Sequence, residues 1–250
     1  MKRDFTPELY AATHRGNLGD LAHYRAVCRG TTRILELGAG SGRLLAALAR
    51  AGREVVGLEL DAGQRRLARR TTQELSVTRR GSVKVVAGDM RKFDLGRPFE
   101  RILLPYNALF CLLTERDARA CLRSVRAALA AGGLFAFDVW NADPVLRYGL
   151  GTSEADEPLF ELTVGQRTFS VFEHTHEARA RQRLSVSYRY VAHDASQSFV
   201  SKIEQRYLGS KQIKALLESA GFAIQSWAGD FAGTPFRAGS PHLVVSARAR

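Results

Sequence analysis

The chain has 250 residues, 45% of them hydrophobic and 25% charged, which is ordinary globular composition and excludes a disordered or fibrous protein. No run approaches the roughly 18 uninterrupted apolar residues of a membrane span, the start MKRDFTPELYAATHRG lacks an apolar signal core, and Cys28, Cys111 and Cys121 are too far apart for a disulfide framework or a zinc pattern; a cytoplasmic protein without a metal is expected. The net charge of +12 raises polyanions as partners, but the 31 Arg and 6 Lys are scattered, and the doublets Arg65-Arg66, Arg69-Arg70 and Arg79-Arg80 fall on or just after one predicted helix, so a solvated Arg-rich surface is the better reading and nucleic acid is argued against.

Residues 5–30 carry apolar positions at helical spacing, broken at Gly16-Asn17, and predict two short helices. RILEL (33–37) is a strand ended by a glycine loop. The helix RLLAALARA follows and is stopped by Gly52. EVVGLEL (54–60) is a buried strand, 62–75 a helix, VKVVAGD (83–89) a strand and FERILLP (99–105) a strand. Residues 115–130 form a helix running into Ala131-Gly132-Gly133, and LFAFDVW (134–140) is the fifth strand. Such alternation means a parallel sheet covered by helices on both faces. The pattern then changes. TFSVFEHTHE (168–177), RLSVSYRYVA (183–192) and FVSKIEQRYL (199–208) are strand-like with no helix between them, and predict an antiparallel insertion. SKQIKALLESAGF (210–222) is a helix with Ser210 as its N-cap. FAIQSWAG and HLVVSARA are the last two strands.

The central signal is Glu36-Leu37-Gly38-Ala39-Gly40-Ser41-Gly42, between the first strand and the next helix. Glycines there permit a tight turn and close approach of a ligand to backbone N–H groups. The dinucleotide fingerprint needs GxGxxG; Arg43 stands in its third slot, and the pattern here is GxGxG. Glu36, two residues before the first glycine, would repel a pyrophosphate but suits a ligand carrying ammonium and sulfonium charges. S-adenosylmethionine (SAM) carries both. At the end of the second strand Glu59, with Leu60 beside it, is placed to accept ribose hydroxyls, whereas Asp61 reads as an N-cap. After the third strand, Asp89 is placed for an adenine amino group and Met90 for its ring, with turn formation and core filling as their structural alternatives.

Taken together, ILELGAGSGR, VVGLELD, VVAGDMRKFDL, ILLPYNALFCL and LAAGGLFAFDVW resemble the class I SAM-dependent methyltransferases in order and spacing over residues 30–145, and SKQIKALLESAGF, GDFAGTPF and SPHLVVSAR extend the likeness over 205–248. The resemblance implies an α/β fold: a Rossmann-like, seven-stranded, mostly parallel sheet in the order 3-2-1-4-5-7-6 with strand seven antiparallel. It places Glu36, Gly38, Gly40 and Gly42 on the methionine part of SAM, Glu59 on the ribose, and Asp89 with Met90 on the adenine. Leu104, Pro105 and Asn107 close strand four beside the sulfonium. The chain divides, as one domain over 1–250, into a helical cap (1–30), a SAM-binding core (31–145), the antiparallel insertion (159–208) as a lid or a contact between two copies, and a C-terminal helix with the last strands (209–250).

The implied activity is in-line transfer of the SAM methyl group to N or O of a small metabolite. The enzyme must align the nucleophile and exclude water, with a base needed only for a protonated nucleophile. Leu104-Pro105-Tyr106-Asn107 resembles the turn of small-molecule members rather than the [N/D]PP[Y/F] tetrad of enzymes that methylate nucleic-acid bases. Tyr106 and His174 are the candidate catalytic groups. On an alternating strand His174 and His176 share one face and Glu173 the other; the His pair lacks a third metal ligand. Tyr188 and Tyr190 share a face and read as packing. Tyr10 and Tyr24 are read as core or as a cover over the cofactor, His14 as exposed, and Arg237 as a candidate for a substrate carboxylate. An RNA or protein methyltransferase and a non-catalytic nucleotide-binding protein stand as the alternatives.

Overall fold

The computed structural model describes residues 6–78, 82–154, 157–194 and 197–250; Arg79 and Arg80 lie outside them. From the N-terminus, α1 (Thr6–Thr13) and α2 (Asp20–Val27) precede β1 (Arg33–Leu37), α3 (Arg43–Leu48), β2 (Glu54–Glu59), α4 (Ala62–Thr78), β3 (Ser82–Ala87), β4 (Phe99–Leu104), α5 (Glu115–Ala128), β5 (Leu129–Trp140) and α6 (Asp143–Tyr148). The insertion contributes β6 (Ser153–Glu154), β7 (Phe160–Val164), β8 (Arg167–Ala178), β9 (Arg183–Ala192) and β10 (Ser198–Arg206). The chain ends with α7 (Ser210–Ser219), β11 (Phe222–Ala228) and β12 (His242–Ala249).

The main sheet runs β3-β2-β1-β4-β5-β12-β11. Its first five strands pair in parallel, and β12 is antiparallel to both β5 and β11. This is the expected 3-2-1-4-5-7-6 order, with β11 and β12 as the sixth and seventh core strands. The insertion forms a second, antiparallel sheet, β10-β9-β8-β6, with β7 also paired to β8.

Several boundaries depart from the sequence reading. Helix α3 stops at Leu48, short of Gly52, because Ala49 is extended and the Arg53 guanidinium binds the Leu48 carbonyl at 3.1 Å. β5 starts at Leu129 and takes in Gly132-Gly133, expected as a helix end; its pairing with β4 shifts register between Phe99 and Arg101. Ser210 is the first residue of α7 and not its N-cap; Gly209 is, and the cap comes from elsewhere. Gln212 Oε1 accepts from Gly209 N at 2.9 Å, and Asp143 accepts from both the amide and the hydroxyl of Ser210. α6, β6 and β7 were not foreseen: they are short, at six, two and five residues.

Alternate faces of the buried strands feed two cores. On one side Leu35, Leu37, Ile102, Phe135 and Phe137 meet α5 and α7 through Leu122, Val125, Ile213 and Leu217. On the other, Ile34, Val55 and Leu103 meet Tyr24 and Cys28, on and just after α2, and Leu44, Leu45 and Leu48 of α3. A third cluster joins α1 to the inserted sheet: Leu9 of α1 is wholly buried among Leu162, Phe169, Val171, Tyr190 and Ala192. Apolar packing of the first helix therefore docks the insertion beside the carboxyl ends of β1, β2 and β4.

Gly57 in β2 has no room for a side chain; a Cβ there would sit 2.8 Å from the Ala39 Cβ and 2.5 Å from a Leu45 methyl. Overpacking of this kind costs typically about 1–3 kcal/mol. Gly57→Ala is expected to lower the unfolding free energy by that amount in urea titration, and unchanged stability would refute the close packing of β2 beneath the glycine loop.

Candidate active site

The carboxyl ends of β1, β2, β3 and β4 open into one cavity of about 930 Å³. Glu36, Gly38 and Gly40 line it from β1 and the glycine loop, Glu59 and Leu60 from the end of β2, and Asp89 and Met90 from beyond β3. Of the other sequence candidates, Leu104 is wholly buried in the core beneath. Gly42 (φ 82°) caps α3 and packs 3.1 Å from Ala68 of α4 as measured from an ideal Cβ. Asn107 is turned to β5, its Oδ1 accepting from Trp140 N at 2.6 Å.

That last bond belongs to a taut turn. Tyr106 and Asn107 both have positive φ, 56° and 63°, a conformation costing an L-residue roughly 1–2 kcal/mol. Three hydrogen bonds hold it. Asp138 Oδ1 accepts from Tyr106 N at 3.0 Å, the Asp138 carbonyl from Asn107 N at 3.1 Å, and Asn107 Oδ1 from Trp140 N. Tyr24, expected in the core or over the cofactor, is fully buried and donates its hydroxyl to Asp138 Oδ1 at 2.5 Å. The turn leaves Pro105, Tyr106 and Ala108 on the cavity wall.

Sequence reasoning found Glu36 but passed over the charges around it. Arg43 lines the cavity and grips buried Asp20 through two N–H···O contacts of 3.0 and 2.5 Å. Asp138 is 1% exposed, and burial pushes its pKa up to about 6. Glu36 is 3% exposed and burial raises its pKa well above the carboxylate range, with Arg43 opposing. One Glu36 oxygen, Oε2, has no hydrogen-bond partner. The one available signal was an aspartate inside an otherwise apolar strand, LFAFDVW.

Glu59 is already engaged by the loop it faces: Oε2 accepts from Gly40 N and Oε1 from Asp61 N, each at 2.8 Å. Asp61 caps α4 through Gln64 N at 2.7 Å. Asp89 is clasped by the Arg91 amide and guanidinium, which lowers its pKa, and Arg91 also reaches Asp117. The lining also takes in Thr6, Pro7 and Tyr10 of α1, His14 just past its end, and Val200, Ser201 and Lys202 of β10. Tyr188 and Tyr190 face α1: the His14 ring is edge-on to Tyr188 with centroids 5.2 Å apart, and the Tyr190 hydroxyl lies 3.1 Å from Thr13 Oγ1. His176 is exposed and paired with Thr152, while His174 and Arg237 are not among the cavity-lining residues. Among the described residues no group of three metal-ligating side chains occurs, and no helix is long and apolar enough to cross a membrane.

A methyltransferase-domain family matches residues 34–133, which hold the glycine loop and every acidic cavity residue from Glu36 to Asp89. Those residues form a methyltransferase domain, set in the fold of the class I SAM-dependent methyltransferases. A curated relative, the dTDP-4-amino-2,3,4,6-tetradeoxy-D-glucose N,N-dimethyltransferase of Saccharopolyspora spinosa, is 26% identical over 77% of this chain and 72% of its own. The fold is shared with the CcbJ methyltransferase from Streptomyces caelestis (TM-score 0.79, 23% identity, 94% and 98% of the two chains). It is also shared with a SAM-bound amino pentose methyltransferase of calicheamicin biosynthesis from Micromonospora echinaspora (TM-score 0.71, 22% identity, 100% and 98%).

The methyltransferase's own residues fit SAM. The unpartnered Glu36 oxygen is a buried acceptor awaiting a donor, and space beside Gly40 is open, with nothing within 4 Å of an added Cβ. Glu36 would hold the ammonium group, Glu59 the ribose, and Asp89 with Met90 the adenine. When bound, SAM supplies a methyl carbon activated by its sulfonium leaving group.

Two measurements test this arrangement. Hydrogen bonds to charged groups contribute about 1.5–3 kcal/mol, so Glu59→Ala should weaken SAM binding in calorimetry by about 10- to 100-fold; wild-type affinity would remove Glu59 from the cofactor. The native state holds the Asp138 proton to higher pH than the unfolded chain does, so stabilisation from this group is complete below about pH 4 and is lost as pH rises through about 6. The stability of the wild type relative to Asp138→Asn should therefore fall by roughly 2–3 kcal/mol from pH 4 to 7. A pH-independent difference would contradict the raised pKa.

Proposed function

We propose that this methyltransferase acts on the amino nitrogen of a small, sugar-like metabolite. The supporting observation is the shared lining of the cavity: residues of α1 and β10 border the same space as the glycine loop and Tyr106, so the acceptor would meet the cofactor in one pocket. Its volume falls at the upper end of the roughly 300–1,000 Å³ typical of small-ligand pockets, enough for SAM and a molecule of comparable size. A folded protein or an RNA helix finds no such fit. The preference for nitrogen draws on two relatives whose names specify an amino sugar or an amino pentose, and on the absence of any need for strong base when the nucleophile is a neutral amine.

The chain's contribution is then largely one of alignment. The Tyr106–Asn107 turn, bolted to β5, fixes one side of the acceptor room, and α1 with the inserted sheet bounds the other and excludes water. The sheet acts as a lid, or as the contact between two copies, and the enzyme works in the cytoplasm on a freely diffusing acceptor.

Labelled SAM should be offered with a panel containing dTDP-4-amino-2,3,4,6-tetradeoxy-D-glucose, free amino pentoses, their hydroxyl counterparts and bulk RNA. One or two methyl groups are expected on an amino compound, with its hydroxyl counterpart unlabelled. Label appearing on the hydroxyl compounds or on RNA instead would overturn the proposal.

A further inference from the structure

We propose that His14 is the proton acceptor of the acceptor room: its Nε2 receives a hydrogen bond from the substrate amine and takes up the proton that the amine gives up. The inference rests on the amine reading above and goes beyond it by naming the group that handles the proton.

The tautomer follows from one contact. His14 Nδ1 lies 2.9 Å from the Tyr10 carbonyl, one helical turn back. A carbonyl only accepts, so Nδ1 carries the hydrogen and Nε2 is left as a bare lone pair. That Nε2 is buried and has no partner, although its residue lines the cavity. An unsatisfied buried acceptor costs about 1–3 kcal/mol, and in a ligand-binding cavity the natural donor is the ligand.

The ring is held on three sides. Tyr10 stacks on it with centroids 4.0 Å apart. Tyr188 of β9 and Tyr106 of the β4 turn meet it edge-on at 5.2 and 6.2 Å. These neighbours assign His14 to the acceptor side: Tyr106 follows β4, and Tyr188 belongs to the inserted sheet. The opposite end of the same helix serves the cofactor side, where the Pro7 carbonyl accepts from Gln64 Nε2 of α4 at 3.3 Å.

The groups facing the imidazole are Tyr10 on its own helix, Tyr106 on the turn, Tyr188 on β9 and Glu173 on β8, which interacts with it electrostatically. Burial outweighs the Glu173 carboxylate and lowers the His14 pKa, so the ring is neutral at pH 7 and its lone pair is free. Proton balance is simple. The amine lone pair is used in the new N–C bond, sulfur keeps the pair of the S–C bond that breaks, and the nitrogen, now cationic, loses one N–H proton: that bonding pair stays on nitrogen and an Nε2–H bond forms. Because the imidazolium formed is a weak holder of its proton in this setting, the proton passes to solvent before the next turnover.

Two readouts test the assignment. In nitrogen-15 NMR of the wild-type protein bound to S-adenosylhomocysteine, the His14 signal, identified by its loss in His14→Gln, should show a protonated Nδ1 and a bare Nε2 that titrates below the ordinary histidine range. With the amine acceptor found by the labelled screen, His14→Gln should lose about 100-fold in kcat, keep its affinity for S-adenosylhomocysteine, and lose the acid limb of kcat/KM that coincides with the NMR titration. An acid limb due to Asp138 would persist in the variant. Wild-type kinetics in His14→Gln on a confirmed amine, or an Nε2–H tautomer in the wild type, would overturn the role of His14 and leave the amine reading standing. A wild-type enzyme that methylates no amine removes that reading and this role with it. Should His14→Gln fail to bind S-adenosylhomocysteine, the wild-type comparison decides alone: a kcat/KM limb displaced from the His14 titration refutes the assignment.

Discussion

Three buried carboxylates share one guanidinium at the carboxyl edge of the main sheet. Asp20, Glu36 and Asp138 are each 3% exposed or less, and Arg43 is the cation acting on all three. Burying an ion costs several kcal/mol even after relaxation, so an uneven set of this kind leaves negative charge in want of a partner. The deficit shows at Glu36, whose Oε2 is unbonded and whose pKa is raised. A ligand entering here with an ammonium group relieves the imbalance, whereas a pyrophosphate would worsen it. The choice between a sulfonium nucleoside and a dinucleotide is therefore made by charge as much as by the spacing of the glycines.

The same charges tie distant parts of the chain together. Asp20 opens α2, Arg43 opens α3, and Asp138 sits near the end of β5. Gly16 lies over the Arg43 guanidinium so closely that any Cβ would collide with it, at 2.3 Å. Asn17 contributes Nδ2 toward Asp138 at 3.4 Å. The link between the first two helices is thus fitted onto the ion pair, and Asp138 in turn carries the strained Tyr106–Asn107 turn. A change of charge at any of these positions reaches both walls of the cavity.

Much of the architecture was legible because burial on both faces makes a strand read as a continuous apolar run, as in RILEL, EVVGLE and LFAFDVW. The glycine loop and the acids after β2 and β3 were legible because they lie next to such runs. What escaped depends on contacts remote in sequence. Nothing near Leu48 announces that Arg53 will end α3, and nothing near Ser210 announces Asp143 as its partner. His14 reads as an exposed helical residue until β9 places Tyr188 against it. Part of the positive charge is engaged inside the fold: buried Arg53 binds the carbonyls of Cys28, Thr31 and Leu48.

Helix α1 shows why the insertion and the core act as one unit. Its Leu9 is buried among the side chains of the antiparallel sheet, its Glu8 pairs with Arg70 of α4, and its Tyr10 and His14 face the cavity. A surface ion pair like Glu8–Arg70 contributes little by itself, so apolar burial of Leu9 and the edge-on contact of His14 with Tyr188 hold the helix in place. Its first turn leans on α4, where the Pro7 carbonyl accepts from Gln64 Nε2, and His14, just past its last turn, meets Tyr106 and Tyr188. One eight-residue helix therefore contacts both α4 of the core and the inserted sheet, and the packing that seats it on one sets its position against the other.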